Sequence, residues 1–189
     1  MTRAYRIARV FVFAFAYTLI AISSSLSADQ TAPELPQLFD ELQQATGDAE
    51  ARRIEAEIWQ LWLEPPDTDA EKLMAQITRA MSASDLAVAL ERCNALVESH
   101  PNYAEAWNKR ATVNYMMGNN AASVADIRET VALEPRHFGA IAGLGLIFLR
   151  ERNMQAALDA FEQVLEISPA SGSATSSVER LRQELGREI

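Results

Sequence analysis

The side chains in this sequence that could carry out chemistry are two histidines, one cysteine and 26 carboxylates. His100 and His137 could together hold a metal ion, but no short local spacing of the kind that metal ligands usually show connects them. Each falls in a predicted turn between helices, which favours a solvated or helix-capping histidine. The sequence therefore predicts no metal site and no cofactor.

Cys93 is the one candidate thiol nucleophile. It occupies the same position in a repeating pattern as Ile127 and Phe161, which favours a small buried hydrophobic residue. The sequence contains neither a G-x-S-x-G motif nor a glycine-rich phosphate-binding loop. The carboxylates are spread over predicted outer helix faces, where charged side chains are ordinarily solvated. These observations predict a protein that is not an enzyme.

The bulk composition is that of a folded domain with an acidic surface. The chain has 189 residues, of which 49% are hydrophobic and 23% are charged. Its net charge is -9, and without Arg3, Arg6 and Arg9 the remaining 14 basic and 26 acidic side chains give -12. Such a surface repels phosphate backbones and anionic lipid headgroups, which argues against nucleic-acid binding.

Residues 1–28 have the organisation of a secretory signal peptide. Three arginines precede an uncharged apolar run of 13 residues, Val10–Ile22, and a short segment of mostly small polar residues follows. This pattern predicts export to the periplasm, with cleavage near Ser27 or Ala28. The alternative is an uncleaved inner-membrane anchor, although a membrane span usually needs about 20 apolar residues.

The rest of the chain repeats every 34 residues. A proline after each repeat stops a helix, and Asp or Asn at a helix start can accept hydrogen bonds from free backbone N–H groups. Each period therefore predicts a helix, a turn near residue 84, 118 or 152, a second helix and a proline-marked turn. Gly118 suits a positive φ in the middle turn. The recurring columns are Pro101, Pro135 and Pro169; Leu73, Trp107 and Ile141; Leu90, Val124 and Leu158; Val97, Val131 and Leu165; and Asp85, Asn119 and Asn153.

In the third period, Ile141, Leu144, Gly145 and Phe148 follow the spacing W-x2-L-G-x2-Y, and Ala157, Phe161 and Pro169 come after them. This pattern resembles the tetratricopeptide repeat (TPR) family. The second period departs from the TPR pattern with Arg110, Asn114 and Ser123 in place of Leu, Tyr and Ala.

The resemblance covers residues 70–169 and extends to small exported bacterial TPR proteins of unassigned role. It implies an all-α solenoid of helical hairpins. The implied repeat domain is 68–170, with three repeats at about 70–101, 104–135 and 138–169.

Both flanks of the repeats show helical hydrophobic stripes. Residues 29–67 predict a helical pair turning around Gly47–Asp48, either as a degenerate repeat or as an N-terminal cap. Trp59 and Trp62 in this pair are expected to pack against the first repeat. Residues 171–189 predict a capping helix, because a repeat array needs an end piece that covers its last apolar face.

The resemblance also implies a binding groove, because the first helix of each TPR pair lines a concave surface. Tyr, Met and Arg are common at the centres of interfaces, while an Asn can bind a ligand backbone and an Arg a carboxylate. The groove is expected to bind a protein or peptide, unless the chain's own termini cover it. The residues expected there are Met74, Thr78, Met81, Glu105, Asn108, Thr112, Tyr115, Met116, Ala142, Leu146, Leu149 and Arg150.

The sequence thus predicts a non-catalytic protein-interaction module, an adaptor or assembly factor in the bacterial periplasm. Two alternatives stay open: a membrane-tethered structural scaffold with an uncleaved N-terminus, and an accessory subunit of an envelope enzyme. Homo-oligomerisation through a repeat edge is a further possibility. Contact with the membrane is expected only through the signal segment.

Overall fold

A computed structural model of the protein describes residues 30–186. These residues form nine α-helices and no strand, which confirms the predicted all-α class. The predicted signal segment lies outside them, and no helix within them is long and apolar enough to cross a membrane. The helices are α1 (Leu35–Gln44), α2 (Asp48–Leu63), α3 (Thr68–Ser82), α4 (Leu86–Ser99), α5 (Ala104–Met116), α6 (Asn120–Leu133), α7 (Phe138–Arg150), α8 (Met154–Ile167) and α9 (Gly172–Leu185).

Three helical hairpins, α3–α4, α5–α6 and α7–α8, form the body of the molecule. The second helix of each hairpin packs against the first helix of the next, and α9 packs against α8 at the end of the array. Val178 and Leu181 of α9 are buried in a cluster with Phe161 of α8. The chain therefore forms a continuous solenoid in which each hairpin buries its apolar face against a neighbour.

The ends of the hairpin helices follow the expected local chemistry. Asp85 accepts a hydrogen bond from the backbone N–H of Val88, and Asn153 accepts one from Ala156, each at 3.2 Å. These two predicted N-caps are confirmed. Asn119 stands at the same position but makes no side-chain capping bond, so the third N-cap prediction is wrong.

The turn inside each hairpin contains one residue in the left-handed region, and these residues are 34 apart. Gly118 has a φ of +82°, which confirms the predicted positive φ, while Ser84 and Arg152 have φ values of +58° and +57°. Glycine enters this region without a steric penalty, but a residue with a Cβ does not. Two of the three turns therefore retain a small backbone strain that the third avoids.

Close helix contact in the third hairpin depends on Gly145 of α7. A Cβ at this position would lie 2.9 Å from the ring of Phe161 in α8. The first hairpin places the fully buried Cys93 at the position of that phenylalanine. Burial raises the pKa of the Cys93 thiol to about 12, so the thiol is protonated and serves as a core residue.

The second hairpin contains a buried polar network where the TPR pattern has apolar residues. Arg110 of α5 donates to both carboxylate oxygens of Asp126 in α6, and Asn114 donates to one of them at 2.9 Å. Ser123 donates to the carbonyl oxygen of Ala111 at 2.8 Å. Two of the three departures from the family pattern, Arg110 and Asn114, therefore share the carboxylate of Asp126, and the third, Ser123, is satisfied separately by the backbone of α5.

The N-terminal hairpin, α1–α2, does not stack on the first repeat. It lies along the edge formed by the three turns between repeats, residues 100–103, 134–137 and 168–171. At one end of the edge, the hydroxyl of Tyr103 donates to the carbonyl oxygen of Trp62 at 3.0 Å. At the other end, the N–H of Gly172 donates to Asp48 at 2.9 Å. The N-terminal hairpin thus crosses all three repeats.

The aromatic side chains of α2 fill the middle of this edge. Trp59 and Trp62 contact Phe138 at the start of the third repeat, and a Cβ on Gly139 would lie 2.3 Å from the Trp59 ring. The expectation that both tryptophans pack against the first repeat is wrong. The turns lie side by side along the solenoid, and packing the aromatic rings of α2 across them removes apolar area from water.

Candidate partner-binding groove

The first helices of repeats two and three border an open cleft of about 310 Å³, here called the central cleft. Ile127 of α6 contributes to its wall, and Gly143 on α7 leaves room, since a Cβ there would only touch Ile127 at 3.7 Å. Most of the lining is apolar. The residues that line the central cleft are Asn108, Ala111, Thr112, Tyr115, Ser123, Ile127, Gly139, Ala140, Ala142, Gly143 and Leu146.

Five of the twelve residues expected in the groove lie together in this cleft: Asn108, Thr112, Tyr115, Ala142 and Leu146. Leu146 is 45% exposed, and Met116 on the neighbouring helix α5 is 47% exposed. Single exposed apolar side chains are ordinary on a folded surface, but apolar area that adjoins an apolar cleft is typical of a binding site. The central cleft and its surroundings therefore offer accessible apolar area.

Asn108 is a largely buried polar residue of the cleft. It is 8% exposed, and its Nδ2 donates to Oε2 of Glu105 at 2.8 Å. Within residues 30–186, its Oδ1 accepts no hydrogen bond from another side chain or backbone N–H. This oxygen is not among the fully buried atoms that lack a partner, so it reaches the solvent of the open cleft. Asn108 is thus suited to accept a hydrogen bond from a ligand's backbone N–H.

Arg150 is committed to contacts within the protein. Its guanidinium lies 3.6 Å from the centre of the Tyr115 ring, and Nη1 donates to the Tyr115 carbonyl oxygen at 2.8 Å. The same nitrogen lies 3.2 Å from Oδ1 of Asn120. The arginine therefore holds the ends of α5 and α7 together and fixes the orientation of the tyrosine.

The other predicted groove residues lie outside the central cleft. Met74 is buried in the core of the first hairpin, so the expectation that the groove exposes it is wrong. Thr78 is exposed, but its hydroxyl donates to the Met74 carbonyl oxygen at 2.9 Å. Leu149 packs towards α8 and α9 in a cluster with Leu158. A position in the first helix of a repeat therefore does not by itself place a side chain in the groove.

Glu105 was also expected in the groove, and it is buried instead. Its Oε2 lies 3.3 Å from Nε2 of His137, and Nζ of Lys109 lies 3.1 Å from its Oε1 without making a well-aligned hydrogen bond. His137 accepts the N–H of Ala140 on Nδ1, so its proton is on Nε2 and points to the carboxylate. The histidine is a helix cap, as predicted, but it is fully buried.

The environment of Glu105 favours the ionised carboxylate. Burial by itself raises its pKa, but the hydrogen bond from His137, the charge of Lys109 and the hydrogen bond from Asn108 together outweigh burial. The result is a pKa below the ordinary value of 4.5. Glu105 is thus a stable anionic anchor for the start of α5 and for Asn108.

The N-terminal hairpin covers this anchor. The Trp62 indole stacks on the His137 ring with centroids 4.1 Å apart and planes 10° apart. Since His137 caps α7 and Glu105 belongs to α5, the stack joins the N-terminal hairpin to the ends of both helices that border the central cleft.

The small residues Gly139 and Gly143 are among the cleft residues that sequence reasoning missed; the others are Ala111, Ser123, Ile127 and Ala140. Gly139 and Gly143 lie one helical turn apart on α7, in the Gly- and Ala-rich stretch 139–145. Glycines inside a helix lower its stability, so they indicate positions where close packing or open space is needed. This signal could have identified Gly139 and Gly143. In the part of the chain described, no cluster of three or more His, Cys, Asp or Glu side chains could hold a metal ion.

Comparison with known proteins gives a consistent match to one family. Residues 74–124 and 115–172 match the sequence profile of the tetratricopeptide repeat. A TPR repeat-containing protein of Rhizobium etli is 35% identical over 151 residues, which cover 80% of this chain and 74% of that protein. The SGT1 homolog of Bos taurus is 26% identical over 118 residues, which cover 62% of this chain but 35% of that protein.

A solved structure shares the same architecture. The first TPR domain of Spaghetti (RPAP3), determined with a bound HSP90 peptide, aligns with a TM-score of 0.59 at 18% identity. The alignment covers 66% of this chain and 98% of that domain. At this level of identity, the likeness shows a common fold.

Proposed function

Because the chain belongs to the tetratricopeptide repeat family, we propose that it is a non-catalytic adaptor or assembly factor of the bacterial periplasm. In this proposal it binds a segment of a protein or peptide in the central cleft. The residues in contact with the partner are Asn108, Thr112, Tyr115, Gly143 and Leu146.

The observation that supports this proposal most strongly is the pairing of apolar space with an accessible hydrogen-bond acceptor. The cleft has an apolar lining with room beside Gly143, and the Oδ1 of Asn108 lacks a partner among the described residues. An apolar side chain of a peptide would fill the space, and its backbone N–H would satisfy Asn108. The TPR domain of RPAP3, whose fold this chain shares, was solved with a peptide bound.

Site-specific photo-crosslinking in the native cell tests where a partner binds. A photoreactive amino acid replaces Thr112, which is exposed and lines the central cleft, and in a control it replaces Glu129, which is exposed on α6 outside the cleft. We expect a discrete adduct from position 112 and none from position 129. Adducts of equal intensity at both positions, or at neither, would rule out the cleft as the main binding site.

Filling the cleft gives an independent test. Gly143→Leu adds an apolar side chain in open space, because a Cβ at this position meets only an ordinary contact with Ile127. Ala125→Leu places the same side chain at an exposed position of α6 and serves as the matched control. We expect Gly143→Leu to abolish the adduct from the photoreactive residue at position 112 without changing the melting temperature of the protein. Ala125→Leu should leave the adduct unchanged.

The periplasmic location rests on the signal-like pattern of residues 1–28 and is tested separately. The intact mass of the protein purified from a periplasmic extract is expected to correspond to cleavage near Ser27 or Ala28. Recovery of the full-length chain from the membrane fraction would instead support the membrane-tethered scaffold.

A further inference from the structure

A second cleft, here called the hairpin cleft, lies between α1 and α2. Its volume is about 430 Å³, larger than that of the central cleft. The faces of α1 and α2 that form this cleft lie next to the faces that pack on the repeats. The residues that line it are Glu34, Gln37, Leu38, Glu41, Glu57, Gln60 and Leu61.

The N-terminal hairpin and its flanking residues carry most of the net negative charge of the protein. Residues 30–67 contain two basic side chains, Arg52 and Arg53, and a net charge of -7, against -9 for the whole chain. The nine acidic residues are Glu34, Asp40, Glu41, Asp48, Glu50, Glu55, Glu57, Glu64 and Asp67. No lysine or arginine lines the hairpin cleft.

Two of the three carboxylates in the cleft have no cationic partner in the described structure. Arg52 pairs with Asp48 at the far end of α2, and Arg53 pairs with Glu57. Glu34 and Glu41 form no ion pair within residues 30–186, and Glu41 accepts a hydrogen bond from Gln37 at 3.0 Å. Unpaired charges of one sign around a cleft create a potential that attracts the opposite charge.

The cleft is more than a set of solvated acids, because Leu38 and Leu61 contribute apolar surface to it. Both leucines are only partly buried, at the margin of the core that α1 and α2 form with the third repeat. Binding here would remove apolar surface from water while the carboxylates pair at the rim. This is the usual division of an interface into an apolar centre and a charged edge.

We propose that the hairpin cleft is a second docking site, which binds a basic amphipathic segment of a partner protein. Lysine or arginine side chains of the segment pair with Glu34 and Glu41, and one or two of its apolar side chains contact Leu38 and Leu61. Charge complementarity selects this occupant, because an acidic or purely apolar segment would leave the carboxylates unpaired or desolvated. The site is separate from the central cleft and does not depend on the function proposed for it.

Binding is measured with a labelled amphipathic peptide, KLAKKLAKKLAK, and with KQAKKQAKKQAK, which has the same charge but no leucine. Fluorescence anisotropy on the purified protein gives the dissociation constants. We expect the leucine peptide to bind more tightly, and its affinity to fall as salt is raised. Equal affinity for both peptides would overturn the proposal, since it would indicate attraction by net charge alone.

Charge-matched variants locate the binding site. Glu34→Gln with Glu41→Gln removes two charges from the hairpin cleft, and Glu98→Gln with Glu129→Gln removes two exposed charges elsewhere. We expect the first pair to weaken binding about fivefold or more and the second pair by less than about twofold. Equal weakening by the two pairs would contradict a localised site.

An added positive charge keeps the test decisive if the double variant is unstable. Gln60→Lys places a cation in the cleft at an exposed position, and Gln183→Lys does the same on α9. Only Gln60→Lys should weaken binding. A photoreactive residue at Gln37 should also crosslink the leucine peptide, whereas one at Thr112 should not; the opposite result would assign the peptide to the central cleft.

Discussion

The imidazole of His137 lies flat against the indole of Trp62, with ring centroids 4.1 Å apart and planes 10° apart. Trp62 belongs to the N-terminal hairpin, and His137 caps the first helix of the third repeat. The same histidine faces Glu105 in the second repeat. One stacked pair therefore couples the N-terminal hairpin to two repeats and to the borders of the central cleft.

Trp62→Ala should destabilise the whole array. Trp62 is 1% exposed, and its removal leaves a cavity among Phe39, Phe138 and His137. The expected loss in the free energy of unfolding is about 3–5 kcal/mol. Urea unfolding followed by circular dichroism gives the value, with the exposed Gln60→Ala on the same helix as the control. A separate early transition of small amplitude would instead mean that the N-terminal hairpin unfolds independently.

Asp126→Ala should be among the most damaging single changes in the second repeat. It leaves the guanidinium of Arg110 half-buried without its carboxylate and removes the acceptor of Asn114. Breaking a buried ion pair from one side typically costs about 3–5 kcal/mol. The measurement is again the free energy of unfolding in urea.

A triple replacement should restore most of that loss. The third repeat carries Leu144, Phe148 and Ala160 at the positions of Arg110, Asn114 and Asp126. Arg110→Leu, Asn114→Phe and Asp126→Ala together exchange the polar network for this apolar packing. Replacing a buried ion pair by apolar residues of fitting shape is often neutral or stabilising. A triple variant no more stable than Asp126→Ala would show that the second repeat cannot accept the packing of the third.

Glycine should be the favoured residue at the left-handed turn positions, so that removing it destabilises the protein and introducing it does not. Gly118→Ala is expected to cost about 1 kcal/mol through backbone strain alone, because no atom lies within 4 Å of a Cβ at that site. Arg152→Gly, with a φ of +57°, should instead be neutral or stabilising by up to about 1 kcal/mol. Differential scanning calorimetry of the two variants tests this, and a stabilising Gly118→Ala would contradict it.

The buried carboxylate of Glu105 predicts a specific dependence of stability on pH. Its pKa in the folded protein lies below the ordinary value of 4.5, so its ionised form stabilises the fold above that pH, and the contribution is lost as pH falls towards the lowered pKa. The melting temperature of wild type minus that of Glu105→Gln should therefore be largest near neutral pH and shrink below about 4.5. Val113→Ala, a buried change without a titrating group, should show a constant difference.

The repeat architecture could be predicted from the sequence because it depends on local chemistry repeated at a fixed interval. Asp85 and Asn153 cap their helices, and Gly118 supplies a positive φ. The same logic failed for Met74, which lies in the first helix of a repeat but is buried. Helical position restricts a side chain to one face, whereas the neighbouring hairpins decide whether that face is covered.

By itself, the sequence determined the helical class, the 34-residue repeat and the role of Cys93 as a core residue, because periodicity and capping are properties of short segments. Only the tertiary structure decided that α2 crosses the turns between repeats, that Trp62 stacks on His137 and that Arg110 satisfies Asp126. These contacts join residues far apart in the chain. Their geometry follows from how complete hairpins pack, which no local pattern specifies.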